Sequence, residues 1–150
     1  LLPLFVKRGY HREYGYAPGV ELNHPLLDTE TGYLLAPMRR GVRLTTGAEF
    51  ARIDAPKNPA QVDGTEAVAR QLLDFGERLD ADMWMGARPA TPDMKPVIGR
   101  APRHKSAWFA FGHAHHGLTL GAVTGRMIAE MMTGQDVFVD AKPFSPQRFG

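Results

Sequence analysis

Along the first fifty residues, apolar positions alternate with polar ones or fall in short runs broken by glycine. "LPLFVKRGY", "TGYLLAPM" and "GVRLTTGAEF" interleave Leu, Val and Phe with Thr and Arg, and Arg39, Arg40 and Gly41 separate the last two. That pattern predicts an antiparallel meander over residues 2–50. "DAPKNPAQVDG" (54–64) has two prolines and no periodicity, which predicts loop. A helix is expected to follow. Asp63 and Glu66 have the spacing of a capping box, and Val68, Leu72, Phe75 and Leu79 line up as one apolar stripe. "MWMGARPATPDMKPVIG" (83–99) reads as a strand end running into turns, and "SAWFAFG" (106–112) as a buried strand. Residues 118–132 read as the last helix, with Gly134 placed to stop it, and the tail after it as irregular. The expected class is α+β, an antiparallel sheet followed by a C-terminal strand–helix piece.

The stretch "AFGHAHHGLTLGAVTGRMIAEMMTG" (110–134) admits three readings. His113, His115 and His116 could be metal ligands, but their spacing is not that of a helical pair, and no Cys or nearby carboxylate joins them. Gly117, Gly121 and Gly125 sit four apart, as in membrane dimer motifs. Arg126 and Glu130 interrupt that segment, so a buried helix of a soluble protein explains it better. The third reading uses every feature. A strand ends at Gly112, a short turn follows, and a helix begins near Gly117, so free N–H groups of its first turn face an anionic or electron-rich ligand edge. On this reading Gly121 and Gly125 are pressed against a sheet or a flat cofactor. Close helix–sheet packing with no ligand fits the glycines equally well.

Composition narrows the field. The 150 residues fit one ordinary domain or a piece of a larger one. With 18 basic against 16 acidic residues, the net charge of +2 gives no case for a nucleic-acid partner. Zero cysteines exclude a disulfide framework, a thiolate metal site and a cysteine nucleophile, and fit a reducing compartment. No apolar run reaches the roughly 18 residues a bilayer-spanning helix needs, and no signal segment is evident. The opening "LLPLFVKRGYH", with no Met and already strand-like, reads as a fragment or a processed chain.

"GHAHHGLTLGAVTGRMIAEMMTG" resembles the C-terminal flavin-contacting segment of the D-amino acid oxidase and dehydrogenase family, which includes glycine oxidase and sarcosine oxidase. "WMGARPATPDMKPVIG" resembles that family's second signature, and "RGYH" and "TTGAEFARID" resemble its substrate-domain strands. The match runs over most of the chain in the right order and is nearest the bacterial D-amino acid dehydrogenase type. The family binds FAD through an N-terminal G-x-G-x-x-G fold, and no such sequence occurs in these 150 residues. The resemblance therefore implies a substrate-binding portion over 1–100 and the C-terminal segment of the FAD-binding domain over 101–150. The dinucleotide-binding part would lie elsewhere, as a missing portion or another chain. It also implies a cytoplasmic protein, at most peripheral at the inner membrane.

The same resemblance assigns roles. Arg88, in "G-x-R-P", would grip the substrate carboxylate with two parallel hydrogen bonds, and Pro89 fixes the backbone after it. Tyr33 would close over the substrate or hydrogen-bond it, Phe50 would line an apolar pocket, and His11 would stand beside them. His115 would sit next to the flavin, with Gly86, Gly112, His113, Gly117, Leu118 and Thr119 as further cofactor contacts. The amides of the last group would face the N1–C2=O edge, which gains negative charge on reduction. The implied reaction passes hydride from the α-carbon of a D-amino acid, or a related small amino acid, to non-covalently held FAD. The resulting imino acid hydrolyses. The lack of cysteine argues against a cysteinyl flavin. A non-catalytic subunit or binding module of the same fold is the alternative.

Overall fold

The computed structural model describes residues 2–150 and divides the chain into two compact units. The sheet unit is Arg8–Ala87; the terminal unit is Arg88–Gly150 with residues 2–7.

The sheet unit is organised by β1 (Phe5–Tyr16), a long strand paired antiparallel with β4 (Gly41–Thr45), His11 opposite Thr45 and Tyr14 opposite Val42. Outward from β4 lie β3 (Tyr33–Met38) and the short β2 (Leu26–Asp28), each antiparallel to its neighbour. The two-residue β5 (Glu49–Phe50), β6 (Phe75–Arg78) and β7 (Trp84–Ala90) also pair with β1. Residues 2–50 are extended wherever they are regular, as the alternation predicts. Gly41 closes the β3–β4 hairpin at φ +153, and a Cβ there would collide with the Tyr14 carbonyl, so only glycine fits.

Helix α1 (Ala60–Leu72) covers one face of this sheet. Val62 and Ala69 pack with Tyr10, Tyr14, Tyr33, Leu35, Val42, Leu44, Phe75 and Met83 into one apolar cluster. Truncating a wholly buried member such as Leu44 to Ala costs about 2–5 kcal/mol. The sequence placed this helix wrongly in two respects. It starts at Ala60, inside the expected loop, behind Pro59, whose side chain offers no cap; the Asn58 side-chain oxygen accepts from the Ala60 amide instead. Asp63 therefore lies in the first turn rather than at its cap, and Glu66 turns inward to the sheet. The helix also stops at Leu72, because Leu73 is extended. Phe75 is buried as a strand residue opposite Tyr16, while Leu72 and Leu79 are exposed, so the expected stripe spans a helix and a strand.

Polar groups tie α1 to the sheet. Glu66 accepts from the Tyr14 hydroxyl (2.7 Å), Arg70 (3.1 Å) and Arg78 (2.7 Å). Burial pushes the Glu66 carboxyl up, but Tyr14, Arg78 and Arg70 together hold it below the usual carboxylate range. Burial, then the hydrogen bond to Glu66, raises the pKa of the Tyr14 phenol. Arg8, wholly buried, donates to the Tyr10 hydroxyl and to the carbonyls of Arg52, Ala55 and Pro56, and pairs with Glu49 at 2.9 Å.

In the terminal unit, β8 (Val97–Arg100) and β9 (Trp108–Phe111) form an antiparallel hairpin, Val97 opposite Phe111. β9 is only half-buried, with Ala110 exposed, rather than the buried strand expected. Helix α2 (Gly117–Thr133) ends at Gly134, left-handed at φ +72, where the sequence predicts a stop. Thr124 and Met127 are its buried residues. Gly121 and Gly125 are exposed, with open space where a Cβ would stand. The expectation of a buried helix packed by its glycine face is thus wrong for these residues: the helix turns its Thr124–Met127 stripe inward. Two 3-10 turns, Lys142–Phe144 and Pro146–Phe149, order the tail. Among the described residues no helix is long and apolar enough to cross a membrane.

Candidate functional site

Three pieces of the terminal unit converge around the histidine loop. Arg88 lies near the end of β7, half-buried, and its guanidinium has no hydrogen-bond or ion-pair partner among the described residues. Two residues of β7 later the strand is fully buried at Ala90. The loop after β9 starts at Gly112, buried and left-handed (φ +79), with Thr91 Cγ2 3.5 Å from where a Cβ would be. A β-branched or bulky residue could not take this place without strain. His113 turns inward, its Nε2 2.9 Å from Thr124 Oγ1, and burial lowers its pKa. Ala114 is also left-handed, at φ +49, and its amide donates to the Pro89 carbonyl at 3.2 Å, tying the loop to the strand that carries Arg88.

The His115 and His116 rings then meet with centres 3.9 Å apart and planes tilted by 45°, and α2 begins. His116 is the cap residue but its side chain makes no capping bond, and the first turn holds no acidic residue. The first amide with a helical partner is that of Leu120, which donates to the His116 carbonyl. The N–H groups of Gly117, Leu118 and Thr119 are therefore free, on residues exposed to solvent. Burial, then the charges of His116, Lys7 and Arg88, lowers the pKa of His115, so its ring is neutral at pH 7. A cationic fork, a helix N-terminus and neutral imidazoles, with no anion in the first turn, make a place for negative charge. It suits a carboxylate at Arg88 and an anionic ring edge at the helix. Among the described residues no three His, Cys, Asp or Glu side chains are grouped to hold a metal ion.

The other expected site residues belong to the sheet unit. The His11 ring stacks on Trp84 (4.5 Å between centroids, 15° between planes). A Cβ at Gly86 would collide with that indole, so the missing side chain leaves room for Trp84. Burial, then Arg43, lowers the pKa of His11. Phe50 is 71% exposed. Tyr33 does not join them. It is 1% exposed, in the core under α1, and its hydroxyl makes no hydrogen bond. Strand alternation explains this: Tyr33 and Leu35 face the helix, and Leu34 faces the other way. Tyr33 is a core tyrosine here. Trp84 and Lys7 were not foreseen. An aromatic residue two positions from a glycine on one strand face was the available signal for Trp84; Lys7 offered none.

Comparison with known proteins places this arrangement in a class. Residues 1–131 match the family described as FAD dependent oxidoreductase, and the chain belongs to that family. The family's cofactor is FAD. The chain is 30% identical over 155 aligned residues to a D-amino-acid oxidase of Bradyrhizobium diazoefficiens, covering 99% of this chain and 36% of that protein. Among solved structures it matches glycine oxidase from Geobacillus kaustophilus (TM-score 0.81, 22% identity, 99% of this chain, 40% of that one). It matches L-proline dehydrogenase from P. horikoshii as well (TM-score 0.81, 19% identity, 99% and 41%). These likenesses establish the fold. The chain spans less than half the length of the relatives it matches.

Proposed function

We propose that this chain is the substrate-binding and flavin-edge portion of an FAD-dependent oxidoreductase acting on D-amino acids or closely related small amino acids. The observation that carries the reading is Arg88, a sheltered guanidinium with every donor unused, on the strand that anchors the loop entering α2. A planar fork in that state is matched by a carboxylate. The related proteins' names, an amino-acid oxidase, a glycine oxidase and a proline dehydrogenase, share a substrate with a carboxylate beside an amine.

The residues divide the work as follows. Arg88 binds and orients the carboxylate, which fixes the α-carbon in place. His11, Trp84 and Phe50 belong to the sheet unit, the portion assigned to substrate binding. FAD, when bound, supplies the two-electron acceptor for the α C–H bond. The free amides of Gly117, Leu118 and Thr119 would hold an electron-rich edge of it, and His115, its pKa lowered, would add a polar but uncharged neighbour. Gly112 and Ala114 shape the loop that presents these amides. No side chain needs to act as a base if the substrate amine enters neutral.

The full-length protein should be yellow. Anaerobic mixing with D-alanine, glycine, sarcosine and D-proline should bleach its flavin absorbance with at least one of them. A flavin that none of these amino acids bleaches would leave the binding-module reading in its place.

A further inference from the structure

The turn that follows β7 stands in a conformation its sequence does not favour. Met94 is left-handed at φ +57, a region that costs an unbranched L-residue free energy and persists only where neighbours enforce it. One side chain from the far end of the chain enforces it on both flanks. Arg148 Nε donates to Asp93 Oδ2 (2.9 Å) and one of its terminal nitrogens to Asp93 Oδ1 (3.2 Å), a fork-to-carboxylate pair immediately before Met94. The same nitrogen donates to the Lys95 carbonyl (2.7 Å), immediately after it. The other terminal nitrogen reaches the carbonyls of Phe144 (2.9 Å) and Ser145 (3.2 Å), which fixes the tail itself. The turn closes on itself as well: the Met94 amide donates to the Thr91 carbonyl, and the Thr91 hydroxyl to the Lys95 carbonyl.

This turn supports both halves of the site. It begins directly after Ala90, two residues beyond Arg88. Thr91, wholly buried, lies against Gly112, with Pro96 Cα and Val97 N also within 4.0 Å of the position of a Cβ there. Displacing residues 91–97 would move the end of β7 and the start of the histidine loop together. Arg148 also lies beyond the residues that match the family pattern, 1–131.

We propose that Arg148 is a positioning residue: by clamping Asp93 and Lys95 on either side of Met94, the tail holds the 91–96 turn that sets Arg88 and the Gly112 loop for an anionic ligand. The proposal rests on the reading of Arg88 as the carboxylate ligand. Arg148 holds the Asp93 carboxyl well below the usual range, down to about 2, so the clamp stays charged across the working range of any such enzyme.

Benzoate binding to the full-length, FAD-loaded protein, followed by the flavin spectrum, tests it. Arg148→Ala should raise the benzoate Kd about tenfold, as sub-ångström displacement of an oriented group does, with FAD content unchanged. Asp93→Asn should do the same to a lesser degree. Adding Met94→Gly to Arg148→Ala should recover part of the loss, because glycine takes the left-handed conformation without enforcement. A purely structural clamp would not be rescued in affinity by that change. Arg88→Ala in the same assay separates the two ideas. If Arg88→Ala weakens benzoate while Arg148→Ala and Asp93→Asn do not, the clamp proposal falls and the site stands. If Arg148→Ala sheds FAD or Met94→Gly gives no recovery, Arg148 is a stabilising residue only. If Arg88→Ala leaves benzoate binding unchanged, the reading of Arg88 falls and the clamp's role with it.

Discussion

Two arginines of this chain, Arg8 and Arg88, have opposite surroundings. Arg8 is wholly buried, and its donors are filled by a phenol, a carboxylate and three backbone carbonyls. Arg88 is half-buried, and its donors are empty. A guanidinium with a complete set of partners from its own chain can only hold structure together. One that is sheltered yet unmatched has been left for something that arrives from outside. The same contrast separates the two units. The polar interior of the sheet unit is closed by Glu66 and its phenol and guanidinium partners. The loop of the terminal unit leaves a helix N-terminus, two imidazoles and a guanidinium unanswered.

The closed side should show it in stability. Glu66→Ala leaves the buried Tyr14 phenol without its acceptor and removes one partner each from Arg12, Arg70 and Arg78, so it should lower unfolding free energy by about 1–3 kcal/mol, the range for an unsatisfied buried polar group. Urea denaturation of the full-length protein measures this, and a change below 1 kcal/mol would mean that the network is ornamental. Such a result would erase the distinction drawn from Arg8 and Arg88.

The sequence made some of this contrast visible and hid the rest, for physical reasons. Alternation marked the first third as extended because strand sides differ in burial, and Gly134 marked the end of α2 because a left-handed residue there favours glycine. The triplet of histidines beside glycines marked the loop. Tyr33 misled, since a one-residue register decides which face a strand residue serves, and only the sheet shows that Leu34 lies on the other face. Glu66 misled because its partners Tyr14 and Arg78 come from other elements, so a local capping reading competed with a tertiary one. The glycine stripe promised a packed face; instead the fold buries Thr124 and Met127. The Arg148–Asp93 pair joins positions 55 apart, and no local pattern announces such a contact.

Smaller effects sharpen the picture. Tyr33→Phe removes a buried hydroxyl with no partner, so it should be neutral or stabilising by up to about 1 kcal/mol, and should leave turnover unchanged. A tenfold fall in kcat would restore Tyr33 to the site and contradict its place in the core.

Acid should act on the two units at different pH. A carboxyl whose folded pKa is depressed gives stability that is present above its unfolded value and is lost as pH falls through the folded one. Glu66, held below its ordinary 4.5, should begin to release the sheet unit as pH falls under that value. Asp93 should keep its pair with Arg148 from 3.8 down to about 2. Hydrogen exchange at pH 3.5 should show more protection lost in α1 than in residues 91–96; the reverse order would contradict these assignments.

The most direct test of the central claim is the affinity of a simple carboxylate for the full-length, FAD-loaded protein before and after Arg88→Ala. Benzoate binding should weaken by roughly 2–5 kcal/mol, about 30-fold or more, with FAD retained and the fold intact, and Arg88→Lys should recover only part of it. Unchanged benzoate affinity in Arg88→Ala would contradict the account, because the empty guanidinium would then have no ligand to hold.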